Sequence, residues 1–293
     1  MKHLPILLNL KKKNADSQNQ PIQKCKNFVD CNYQNGFYCL GKSVIDEILQ
    51  TVDNQIYEGI TTKKIYKLAF NLLKKSSNAT AARYNLRAAI QMLGPAGFFF
   101  EKFISRLFAS EGYATKTNLF LQGKCVSHEI DVVIKKYDLI EMVECKFHPR
   151  SETNSDVKIP MYILSRFNDL KDRNHPIFSK SDKITGCWIA TNNRFTSDAM
   201  DFANCSGLKL LSWDYPPKFS LRKKIDEGQL YPITCLTTLT IAEKDKLMVL
   251  NVILAREIID NAEILEKIGL SPIRIKNVIK EASELCKYLK YEN

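Results

Sequence analysis

Apolar positions recur at helical spacing from Val44 to Met92, give way to strand-like runs before Trp213, and return to helical spacing after Pro216-Pro217. Val44, Ile45, Ile48, Leu49, Val52 and Ile56 line one face of a first helix. Thr61-Thr62 caps a second, in which Ile65, Leu68, Ala69, Leu72 and Leu73 recur. Ala81 to Leu93 reads as a third, stopped by Gly94-Pro95. Gly97 to Phe108 is amphipathic, and Glu101 shares a face with Ile104 and Phe108, so it leans toward the core. A Gly112-Tyr113 turn leads into a strand. Two more strands follow, around Ile130 to Ile134 and Leu139 to Phe147, joined by a tight turn. Gly186 to Thr191 reads as a buried strand, Thr196-Ser197 as the cap of a short helix through Asn204, and Leu208 to Trp213 as a further strand. Beyond the two prolines a helix is expected from about Ile241 to Ile268, with a break near Asn261. Gly269 stops it, and Ser271-Pro272 opens a last helix through Leu289.

The chemistry lies on the two central strands. Asp131 sits in a β-branched apolar run, and Glu144 and Lys146 follow on the next strand. Side chains in a strand repeat every two residues, so Glu144 and Lys146 point the same way. Charges on apolar strands are costly unless paired or bound to a metal. An acid on one strand with Glu-x-Lys on the next suits a hard divalent cation held through oxygen. The ammonium would stand where water is oriented and phosphate charge develops. The bland alternative is that Asp131 and Glu144 belong to a wet sheet face.

Asp131 and Glu144-Cys145-Lys146 resemble the motif of the PD-(D/E)xK nuclease superfamily, and more closely that of Mrr-like restriction endonucleases. Ile130 stands where the motif has proline. The stretch from Thr191 to Met200, running on to Pro216, looks like the same region of Mrr-like proteins. The resemblance implies an α/β fold with a restriction-endonuclease-like core, a central mixed sheet flanked by helices, with helical regions before and after it. It implies a Mg²⁺-dependent (or Mn²⁺-dependent) DNA endonuclease. Asp131, Glu144 and the backbone carbonyl of Cys145 would hold the metal, Glu101 would add a carboxylate, and Lys146 would act on the attacking water and the phosphate. A structure-specific repair nuclease or junction resolvase on the same core stays open, as does a non-catalytic nucleic-acid-binding regulator.

Charge sharpens this picture. The net charge is +11, and from Thr61 to Asn118 ten basic residues face only Glu101 and Glu111. A one-sided basic region attracts phosphate backbones. Lys63, Lys64, Lys67, Arg83 and Arg87 are therefore expected to contact DNA, the plain alternative being a solvated helix surface. No apolar run reaches the ~18 to 20 residues that span a bilayer, so no membrane association is expected. Leu4 to Leu8 is a poor signal peptide, because charges follow it and no small-residue cleavage site appears. Nine scattered cysteines fit reduced thiols in a cytoplasmic protein. A homodimer stays open.

The chain divides into an irregular basic arm at 1–43, a helical region at 44–95, the nuclease-like core at 96–216 and a C-terminal helical region at 217–293. Residues 56–70 and 82–87 resemble the C-terminal half of an ATP-cone domain, which some Mrr-like nucleases carry before the catalytic core. That domain's opening strand pair has no clear counterpart in residues 1–43, so ATP is expected to bind weakly or not at all. Cys25, Cys31 and Cys39 lack the close pairing that structural zinc favours. Residues 264–279 look distantly like a helix-hairpin-helix, with Ser271 where that motif usually has glycine. His148 could reach the acid site or a phosphate, and His128 reads as a structural or solvent-facing residue.

Overall fold

The computed structural model describes residues 42–57, 59–94 and 97–286. The basic arm, its three cysteines and any opening half of an ATP-cone lie outside these residues, apart from Lys42 and Ser43.

Four helices come first: α1 (Lys42–Asn54), α2 (Thr62–Ser76), α3 (Asn78–Tyr84) and α4 (Leu86–Gln91). Thr61 caps α2 by accepting from the Lys64 amide, as its position before the apolar repeat predicts. The single helix expected from Ala81 to Leu93 is instead divided at Asn85. Then come α5 (Phe98–Ser110), β1 (Ala114–Gln122), β2 (Ser127–Lys136), β3 (Leu139–Lys146), the short β4 (Asn154–Ser155) and α6 (Lys158–Leu170). β5 (Gly186–Thr191), the short β6 (Arg194–Phe195), α7 (Ser197–Cys205) and β7 (Lys209–Leu211) complete the central part.

The fold is α/β, with a central mixed sheet flanked by helices. Five strands run in the order β1-β2-β3-β5-β7. β1, β2 and β3 pair antiparallel, and β3, β5 and β7 pair parallel. One face packs on α5, through Phe100, Phe103, Ile104 and Leu107 against Val132, Ile134 and Val143. The other packs on α6 and α7, through Ile163, Leu170, Ala199 and Ala203 against Val133, Met142 and Ile189.

The C-terminal part joins the first of these cores rather than standing apart, with Tyr231, Ile253, Val278 and Leu285 buried beside Phe103 and Ala89. Its helices are α8 (Leu221–Gly228), α9 (Ile241–Val249), α10 (Glu263–Lys267) and α11 (Pro272–Leu285). The long helix expected from Ile241 to Ile268 does not form. α9 ends at Val249 with Leu250 as its C-cap, and Asn251 follows in the left-handed region at φ 65°. Val252, Ile253 and Leu254 then run extended and buried, with Leu254 bridged to Pro232. The run from Leu247 to Ala255 is apolar on every side apart from Asn251. Leu247, Met248 and Val252 to Ala255 are buried while Val249 and Leu250 are exposed, so burial along the run follows no single helical stripe.

Candidate active site

Asp131 sits where β2 turns over. Thr117 pairs with Val132 and Leu119 with Ile130, which leaves Asp131 opposite Asn118. Asn118 has φ 59°, a left-handed conformation that few residues but asparagine adopt readily. Regular alternation would put Ile130, Val132 and Ile134 on one face. Instead Val132 and Ile134 pack toward α5, while Ile130 packs toward α6. Asp131 is the residue at which the strand changes sides, so its carboxylate can meet groups from both layers.

β3 supplies the next two groups. The β2–β3 ladder ends at Val132 with Val143, one residue short of Asp131 and Glu144 on the two strands. The Cys145 amide donates to Asp131 Oδ2 at 2.7 Å. Lys146 lies two residues beyond Glu144 and is exposed at the strand end. Its charge favours the ionised forms of both Asp131 and Glu144.

Glu101 comes from the first turn of α5. Burial, then the Asp131 and Glu129 carboxylates, push its pKa up to about 7. Glu144 is likewise pushed up to about 7, by burial first and by Asp131 second. Asp131 is raised chiefly by burial, against the Cys145 amide and Arg166, which lower it. Asp131 thus raises the cost of ionising both Glu101 and Glu144, and clustered acids with raised pKa values are a pattern that marks functional sites. Glu129, which sequence reasoning passed over, adds its charge to the same cluster.

The group that sequence reasoning missed most plainly is Arg166. No helix was expected between Phe147 and Gly186, yet α6 occupies the middle of that span. Pro160 stands in its first turn, where a proline costs little. Arg166 is 9% exposed and its Nη1 donates to Glu144 Oε1 at 2.6 Å. Nη2 donates to the carbonyl of Glu129, and the guanidinium lies 5.7 Å from the centroid of the Tyr162 ring. Glu144 Oε2 is buried without a hydrogen-bond partner.

Around this cluster the loop after β3 is tied down. His148 is buried, its amide donates to Asn192 Oδ1 at 2.8 Å, and its Nε2 lies 2.9 Å from Ser155 Oγ. Burial lowers its pKa, with Lys146 second. Its Nε2 is thus engaged within the loop. Asn192 returns a bond to the His148 carbonyl, and Asn193 Nδ2 donates to the carbonyls of Arg150 and Thr153. His128 lies 2.8 Å from Asp169 Oδ2, away from the acids. The Cys145 thiol is pushed well up by burial, so its amide is what serves the cluster.

The five basic residues expected on DNA separate into two sets. Lys63, Lys64 and Lys67 are exposed on α2. Arg83 is buried, with Nη2 on the Leu285 carbonyl at 2.9 Å and its guanidinium over the Tyr231 ring. It ties α3 to α11 and does not face outward, which corrects that expectation. Arg87 is half-buried over the Trp213 ring and donates to the Ser151 carbonyl. In residues 264–279, Arg274 is engaged by Glu243 and by the Thr238 carbonyl.

Among the described residues no three His, Cys, Asp or Glu side chains are already gathered as a metal cage, and no helix is long and apolar enough to cross a membrane. No disulfide links the described cysteines.

Residues 231–286 match the family model "AF1548-like, C-terminal". An uncharacterized protein of Archaeoglobus fulgidus is 34% identical over 183 residues, 62% of this chain and 99% of that protein. The crystal structure of AF1548, a protein of unknown function, superposes with a TM-score of 0.54 at 34% identity, over 64% of this chain and 97% of that one.

Proposed function

The chain belongs to the AF1548-like family, and we propose that it is a divalent-cation-dependent DNA endonuclease of the Mrr-like type in the PD-(D/E)xK superfamily, working in the cytoplasm. One observation carries this reading. Asp131 on β2 raises the cost of ionising both Glu144 on β3 and Glu101 on α5, in a partly buried cluster beside Lys146, and Glu144 Oε2 has no hydrogen-bond partner. Buried polar atoms are normally bonded, and buried carboxylates normally neutralised.

An all-oxygen donor set of this kind fits Mg²⁺ or Mn²⁺. Asp131, Glu144 and Glu101, with the Cys145 carbonyl, would hold the ion, which supplies a water of lowered pKa and neutralises phosphate charge. The protein's own groups do the rest. The Cys145 amide fixes which way Asp131 presents its second oxygen. Lys146, exposed at the end of β3, offers an ammonium to a non-bridging phosphate oxygen and to the attacking water. The tied loop from His148 to Ser155 keeps the end of β3 from fraying. Lys63, Lys64 and Lys67 supply exposed charge for the phosphate backbone.

Purified protein incubated with methylated and unmethylated plasmid, with and without Mg²⁺, tests this. Nicking or linearisation that needs the cation and disappears in Asp131→Ala supports the endonuclease. Binding without cleavage at any cation concentration would favour the regulator instead.

A further inference from the structure

Arg166 could neutralise Glu144 more fully than it does. A guanidinium has a fork of donors that matches both oxygens of a carboxylate. Here the fork is split: Nη1 takes Glu144 Oε1 and Nη2 takes the Glu129 carbonyl. Glu144 Oε2 and Arg166 Nε both stay buried without hydrogen-bond partners. A counter-ion serving stability alone would be expected to close on both oxygens.

The split is held in place from outside. Asp169, one helical turn beyond Arg166, accepts from the amides of Cys125 at 2.8 Å and Val126 at 3.3 Å, and pairs with His128 at 2.8 Å. The Lys124 amide donates to the Asp169 carbonyl. These four contacts lock α6 to the β1–β2 hairpin and fix the point on the helix from which the Arg166 side chain reaches Glu144. Tyr162 covers its face.

We propose that Arg166 is a positioning residue that grips Glu144 by one oxygen, leaves the other for the divalent cation, and keeps that grip when the cation binds. This rests on the cation-site reading above. Its role is exerted through Glu144.

The test is a titration of the full-length protein with Mn²⁺, without DNA, by calorimetry and by electron paramagnetic resonance. Wild type, Glu144→Gln, Arg166→Gln and Arg166→Lys are compared, with near-ultraviolet circular dichroism to check packing. Arg166→Gln should weaken Mn²⁺ binding at least tenfold. Arg166→Lys, which keeps a donor and a charge, should recover most of the loss. Glu144→Gln should weaken binding at least as much as Arg166→Gln. Wild-type affinity in Arg166→Gln, with loss in Glu144→Gln, would overturn the role of Arg166 and leave the cation site standing. Affinity unchanged in Glu144→Gln would overturn the cation site itself, and this role with it. Should Arg166→Gln not fold, the wild-type protein still decides. Its Arg166 guanidinium ¹⁵N signals should stay protected from exchange when Mg²⁺ is added, and their loss would overturn the proposal.

Discussion

The Cys145 amide donates to Asp131 Oδ2 at 2.7 Å, so the strand that carries Glu144 and Lys146 also orients the aspartate across from them. Relative placement of the acids is thus set by backbone pairing rather than by side-chain packing alone. Two anchors act on Asp131, the Asn118 turnover behind it and the Cys145 amide in front. A site held by main-chain geometry tolerates changes in the surrounding surface.

Asp131→Ala and Lys146→Ala are each expected to cut cation-dependent cleavage by a factor of about 10² to 10³ or more, the usual effect of removing one charge-stabilising group. DNA affinity should change little, because neither residue belongs to the exposed lysines of α2. Single-turnover cleavage and gel-shift measurements on the same preparations check this. Full cleavage by either variant would remove the site assignment.

Strands were legible where their chemistry was local. β-branched runs and alternation gave β2, β3 and β5, and Thr196 with Gly207 bounded α7, whose cap accepts from the Ala199 amide. Asp131, Glu144 and Lys146 were legible for the same reason, since pairing of neighbouring strands brings them together. Glu101 was readable from its helical face. Arg166 was not, because its partner lies on a strand 22 residues away in sequence and its helix opens on Pro160. The C-terminal helices were misjudged because the run from Leu247 to Ala255 is apolar almost throughout although Val249 and Leu250 are exposed, which erases the periodicity that marks a helix end. The burial of Arg83 depends on Leu285 and Tyr231, far along the chain, and no local pattern announces it.

Stability should fall as pH rises through neutrality when no cation is present. Glu101 and Glu144 have folded pKa values of about 7, above the 4.5 of an unperturbed glutamate. The folded state therefore binds more protons than the unfolded one between about pH 4.5 and 7. Stability contributed by the two groups is fully present below that window and lost across it. Glu243, lowered to about 2 by Arg274, acts with the opposite sign but below pH 4.5; His148, lowered by burial, opposes the effect within the window, one group against two. Thermal midpoints measured from pH 5 to 8 should decline in wild type and decline less in Glu144→Gln. A parallel decline in both would mean that Glu144 ionises normally.

Glu281 offers a test of the C-terminal packing that is independent of any activity. It is 2% exposed and accepts from the amides and hydroxyls of both Thr237 and Thr238, at 2.6 to 2.9 Å. Glu281→Ala strands two amides and the Thr238 hydroxyl, while the Thr237 hydroxyl keeps Asn78 Oδ1 at 3.3 Å. Each unsatisfied buried donor costs about 1 to 3 kcal/mol, so a loss of about 3 kcal/mol or more is expected in urea unfolding, less if water enters. A change under about 1 kcal/mol would mean that the turn at Thr237 is open to solvent.

The basic residues of α2 and α3 should behave in opposite ways. Lys63 and Lys67 are exposed; reversing both to glutamate should weaken binding to all DNA sequences alike. It should also flatten the plot of log affinity against log salt by about two units, since each lost phosphate contact removes about one. The thermal midpoint should hardly move, because surface substitutions of this kind cost within about 0.5 kcal/mol. Arg83→Ala should do the reverse. It removes the donor to the Leu285 carbonyl and the cation over Tyr231, at a cost of about 1 to 3 kcal/mol, while the salt slope stays as in wild type. Equilibrium unfolding and salt-dependent anisotropy on both variants separate the two roles. A flattened slope in Arg83→Ala without loss of stability would put that guanidinium on the DNA, against its burial between α3 and α11.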